Sequence, residues 1–174
     1  MPKHFRLILF CLCFPLLAQT PVQITNPCIQ NGCYVATTST TLGASASTTL
    51  TVQQKASGAR AVQFSAAVVQ CPGQSFTVDQ SQNGTAATAT TGSAVALTPT
   101  TTAAAATVWT ASNVGAGTAT APTLSFVSGP PAVIDLSQRN MNTSGTAVNY
   151  SLKLTNTGSA SCTASIAIYF QENI

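Results

Sequence analysis

Apolar and polar residues alternate with a period of two along much of this chain, most strictly near its end. From Ala147 to Gln171 two alternating runs flank Asn156-Thr157-Gly158-Ser159. In the first run Val148, Tyr150, Leu152 and Leu154 share one face. In the second, Cys162, Ala164, Ile166, Ile168 and Phe170 do. Strict alternation marks a half-buried antiparallel strand, because successive side chains of a strand point to opposite faces. Asn-Thr-Gly-Ser is turn chemistry, so the spacing predicts a closing β-hairpin whose apolar face needs a partner sheet.

The same period recurs upstream. Tyr34 to Thr41 reads as a first strand and Thr48 to Gln53 as a second, with Leu50 and Val52 inward. Ala61 to Gln70 places Val62, Phe64 and Val68 inward, with Val69 joining them where the strand is buried on both faces. Pro72-Gly73 then turns the chain into Ser75 to Gln80, with Phe76 and Val78 inward and Asp79 outward, a second predicted hairpin. Shorter strands follow at Ser93 to Thr98 on Val95 and Leu97, and at Ala103 to Ala111 around Val108 and Trp109. Others follow at Leu124 and Phe126, and at Val133 to Leu136. Val95, Leu97, Val108 and Trp109 call for burial. The Ala/Thr run from Ser81 to Thr91 does not predict a helix, because β-branched threonines interrupt the alanines.

Many short strands with turn residues between them predict an all-β chain, a single antiparallel β-sandwich of immunoglobulin-like or jelly-roll type. At class level the chain resembles the Thr/Ser/Ala-rich β-sandwich modules of bacterial surface and secreted proteins. Leu154-Thr155-Asn156-Thr157-Gly158 is similar to a strand-turn of immunoglobulin-like modules. That likeness covers a handful of residues and carries no functional residue across.

The first residues follow a different rule. Lys3, His4 and Arg6 precede an apolar run from Leu7 to Ala18, and Leu16-Leu17-Ala18 suits a cleavage site. This predicts a secretory signal peptide over residues 1–18, too short for a permanent membrane span. Residues 19–33 follow as a Pro-punctuated, Cys-clipped segment, and 34–174 as the sandwich domain. The expected location is secreted, periplasmic or extracellular at the cell surface.

Cleavage changes the charge. The whole chain carries six basic and three acidic residues, a formal +3. Without Lys3 and Arg6, four bases (Lys55, Arg60, Arg139, Lys153) stand against Asp79, Asp135 and Glu172, so 4 − 3 leaves +1. So neutral a surface cannot steer nucleic acid. Solubility falls to Ser, Asn, Gln and the 28 threonines.

Four cysteines remain after cleavage: Cys28, Cys33, Cys71 and Cys162. In an exported chain an even count implies disulfides, and three pairings are possible. The Asn31-Gly32 turn favours Cys28–Cys33, which leaves Cys71–Cys162. A four-cysteine metal site lacks the short paired spacings that zinc needs, so no metal or other cofactor is expected.

The residues limit catalysis. The sole histidine, His4, leaves with the signal, so no Ser-His-Asp or Cys-His arrangement can form. Three carboxylates remain, and only Asp135 with Glu172 could form the pair a glycosidase uses. No phosphate-binding or calcium loop is present. The sequence therefore implies a non-enzymatic protein with a structural or adhesive role. Its expected partner is itself, through strand edges, or an extracellular glycan or protein. The alternative is a glycan-binding module stacking sugars on Trp109 and Tyr169, since Tyr169 alternates with inward Ile168 and Phe170. Asn83, Asn142 and Asn149 head glycosylation sequons.

Overall fold

The computed structural model describes residues 32–54, 61–82, 90–97, 104, 106–110, 118–119, 121–141 and 149–172. The proposed signal peptide, Cys28, Asn83, Asn142 and Val148 lie outside them. Every regular element among the described residues is a strand. They are β1 (Cys33–Leu42), β2 (Ser47–Gln53), β3 (Val62–Gln70), β4 (Phe76–Gln82), β5 (Thr90–Gly92), β6 (Ala94–Ala96) and β7 (Thr107–Thr110). β8 (Thr118–Ala119), β9 (Leu124–Phe126), β10 (Ala132–Asp135), β11 (Asn140–Met141), β12 (Asn149–Asn156) and β13 (Cys162–Glu172) complete the series.

Two antiparallel sheets result. The first runs β10-β3-β13-β1-β6, with β11 also on β3. The second runs β5-β7-β2-β12-β4-β8, with β9 also on β4. Inward residues of both sheets form one core, Ile166, Ile168 and Phe170 from the first and Leu50, Leu152 and Leu154 from the second. The Phe64 ring of the first sheet lies 4.7 Å, centroid to centroid, from the Tyr150 ring of the second. Each such buried side chain stabilises the fold by about 1.5–3 kcal/mol.

The two predicted hairpins are corrected. β12 pairs with β2 and β4, whereas β13 pairs with β1 and β3, so the turn between them carries the chain from one sheet to the other. β3 and β4 likewise belong to different sheets. Among the described strands no two consecutive ones pair with each other. Two alternating runs around a turn look alike whether they pair or face each other across a core, because both arrangements need one apolar face per strand.

Asn156 shows how the crossing is held. It is fully buried. Its side-chain amide donates to the carbonyls of Ala160 (2.8 Å), Gly43 (3.1 Å) and Leu42 (3.4 Å), and its Oδ1 accepts from Gly158 N–H at 2.9 Å. One side chain thus ties the β1–β2 loop to the β12–β13 turn. Gln74 lies against Gly158 where a Cβ would clash, and its Oε1 accepts from Ala160 N–H at 3.1 Å.

Alternation fails in two further places. Between Tyr169 and Phe170 the pairing of β13 with β3 shifts register, so Phe64 and Ala67 both face inward. A bulge of this kind reverses the parity of everything beyond it. Val69 is therefore fully buried, and Val68, expected inward, lies on the outer face. In β6 the alanines Ala94 and Ala96 pack against the core, while Val95 and Leu97, expected buried, are 60% and 40% exposed.

Cys71 and Cys162 form a disulfide with their Cα atoms 5.4 Å apart, as the pairing by elimination required. It joins neighbouring strands β3 and β13 at the sheet end. Cys33 is also disulfide-bonded, with its partner outside the described residues.

Candidate functional site

The outer face of the first sheet carries exposed apolar side chains and a shallow groove. Register places Asp135, Ala66, Tyr169, Val35 and Val95 in one row across five strands. Val133, Val68, Ala167 and Thr37 form the next row. Val133 is 52% exposed. Beside these rows lies a groove of about 440 Å³, floored by Val68, Ala167 and Pro131 and edged by Thr37, Gln70 and Ser165. No charged residue lines it. Strand alternation produces the face. β13 buries Ile166, Ile168 and Phe170, which turns Ala167 and Tyr169 outward.

Tyr169 is half-buried, flanked by Ala66 and Val35 on the neighbouring strands. Trp109 belongs to the second sheet, where its backbone pairs with Thr51 and Thr91, and its side chain lies outside the described residues. The two aromatic candidates therefore stand on different sheets.

The three carboxylates are held separately. Asp135 is exposed on the outer face, and Ser137 N–H donates to its Oδ1 at 2.9 Å. That backbone hydrogen bond, aided by the Ser137 side chain, holds the Asp135 carboxyl below its ordinary range, since each favours the charged form. Glu172 is buried on the inner face of the same sheet and accepts from Ala106 N–H at 2.7 Å. The Asp135–Glu172 pair raised by the sequence thus lies on opposite sides of one sheet and shares no cleft. Asp79 belongs to the second sheet, where Thr123 Oγ1 donates to it at 2.6 Å. The Tyr150 hydroxyl donates to Gln80 Oε1 at 2.9 Å inside the core, and burial pushes that phenol well above its ordinary range.

Among the described residues no group of three or more His, Cys, Asp or Glu could hold a metal ion. Among the described residues no helix is long and apolar enough to cross a membrane. Asn149 is buried, so its sequon cannot accept a glycan in the folded chain. Sequence reasoning missed two features, the apolar outer face and Asn156 as the link between two loops. The sequence carried no signal for the face, because Val95 alternates with Ala94 and Ala96 and so reads as the inward residue. No family model, curated protein or solved structure matches the chain.

Proposed function

We propose that this chain is a secreted or cell-surface, non-enzymatic β-sandwich protein with a structural or adhesive role. The finer fold reading, immunoglobulin-like or jelly-roll, belongs to the same proposal, as do the signal peptide over residues 1–18 and the domain over 34–174. The observation that carries it is the outer face of the first sheet, where Val133 and Val95 are exposed and an uncharged groove lies over Val68 and Ala167. Such a face suits contact with another surface. The separate placement of Asp79, Asp135 and Glu172 supports the same reading, because hydrolysis by paired carboxylates needs them about 5–10 Å apart across a cleft. A panel of glycoside, ester and peptide substrates tests it. The expected result is no turnover above the level of a heat-denatured control. Turnover abolished by one point substitution would overturn the reading.

The alternative is a glycan-binding module, and Tyr169, on the same outer face as the uncharged groove and one row from its Thr37 and Ala167, favours it. A sugar ring stacks on an aromatic face while its hydroxyls take neutral hydrogen bonds. Tyr169→Ala is then expected to remove binding on a glycan array. An array blank for the parent protein would end this alternative.

A further inference from the structure

Strand β1 pairs with β13 over all ten of its residues, Cys33 to Leu42. On its other side β6 covers only Tyr34 to Ala36. Two hydrogen bonds fix which backbone groups point where. Leu97 N–H donates to the Cys33 carbonyl at 2.9 Å on the β6 side, and Glu172 N–H donates to the Gly32 carbonyl at 2.9 Å on the β13 side. In an antiparallel ladder these directions alternate along a strand. Odd-numbered residues of β1 therefore turn their N–H and C=O groups away from β13. Past Ala36, Thr37, Ser39 and Thr41 present those groups along an edge where no described strand lies. Thr37, Ser39, Thr40 and Thr41 are all exposed.

Native edges are usually blunted by charge, proline or a bulge. This one has none of the three. From Thr37 to Thr41 the run carries only threonine and serine. An antiparallel pair related by a twofold axis runs each strand against its own reverse, so within this run hydroxyl side chains meet hydroxyl side chains.

We propose that the β1 edge pairs with the β1 edge of a second copy of this chain, joining the two first sheets across a twofold axis near Thr40. With the axis at Thr40, Thr40 faces its symmetry mate, Ser39 faces Thr41 and Thr38 faces Leu42. Residues on the same face meet, as a ladder requires. Ser39 and Thr41 are both odd-numbered, so their N–H and C=O groups close hydrogen bonds between the copies. The pairing stops short of the place β6 fills opposite Ala36. Opposed threonines are a favourable cross-strand pair, and no charge on the strand opposes contact. So small a contact makes a weak, reversible dimer. This inference names the partner within the structural role proposed above and rests on it.

Sedimentation velocity over a wide concentration series tests it. The parent protein is expected to shift reversibly from monomer to dimer as concentration rises. Ser39→Pro removes an N–H that points away from β13, so it is expected to keep the fold, checked by circular dichroism, and abolish the dimer. Thr40→Lys and Thr40→Glu place like charges on the axis. Each is expected to remain monomeric alone, and their mixture to dimerise at low salt only. A parent protein monomeric at every concentration would overturn the proposal. So would Ser39→Pro and Thr40→Lys proteins that associate as the parent does. Neither result touches the non-enzymatic reading, which fails only on catalytic turnover.

Discussion

On the outer face of the first sheet Val133 and Val95 are 52% and 60% exposed, whereas on the outer face of the second Thr49 and Thr51 are 5% and 0% exposed. Apolar side chains meet solvent on one sheet, and polar ones are buried on the other. Ser151 and Asn149 of β12 are buried beside those threonines. The Thr51 and Ser151 hydroxyls lie 2.8 Å apart, one donating to the other. Alternation reports which side of a strand a residue occupies. It does not report whether that side is wet. The second sheet pairs the Thr51 and Ser151 hydroxyls with each other across its covered face, which makes that pair structural. The first sheet leaves apolar groups uncovered, which makes its face available for contact.

The difference can be tested by substitution. Ile168 lies fully buried beneath the open face. Ile168→Asp puts an unpaired charge in the core both sheets share, and is expected to abolish folding, read as loss of a cooperative thermal transition. Cys71→Ser opens a disulfide spanning 91 residues. It is expected to cost about 4–5 kcal/mol by the chain-entropy argument, measured as the urea midpoint shift at constant slope. An unchanged midpoint would remove the disulfide from the account.

Thr51→Val separates the two outer faces. It strands a buried hydroxyl on Ser151 and is expected to destabilise by about 1–3 kcal/mol, while Thr51→Val with Ser151→Ala recovers much of that loss. Additive losses would mean that the two hydroxyls do not act as a pair. On the open face, Val133→Thr and Val95→Thr are expected to change stability by less than about 0.5 kcal/mol.

Tyr150 adds a pH dependence on the core side of β12. Its folded pKa lies above the unfolded value, so the neutral phenol is favoured by folding. That contribution is complete below the unfolded value of about 10 and is lost as pH rises through the folded one. Stability of the parent protein is therefore expected to fall more steeply above about pH 10 than that of Tyr150→Phe. Equal slopes in alkaline melting curves would contradict it.

The fold class was legible because β13 alternates without a break from Cys162 to Phe170, and Leu50, Val52, Phe76 and Val78 follow the same rule. The Cys71–Cys162 bond was legible from counting and turn chemistry. Which sheet each strand joins was not. Local alternation is identical in a hairpin and in a crossing, and the choice is made by distant partners such as Phe64 against Tyr150. Val68 was misplaced because the bulge that reverses parity depends on β13, about a hundred residues away along the chain. Of the candidate site, Tyr169 was legible at outward parity. The open β1 edge was not, since it depends on how short β6 is.

The most direct test of the claim that the first sheet is open at β1 is amide hydrogen exchange, residue by residue, on dilute protein. Thr38 and Thr40 bond toward β13, whereas Thr37, Ser39 and Thr41 point away from it. The expected result is alternation, with slow exchange at 38 and 40 and fast exchange at 37, 39 and 41, Ser39 and Thr41 slowing as concentration rises. Uniform protection of all five amides in dilute protein would mean that the edge is already covered, and would contradict the account.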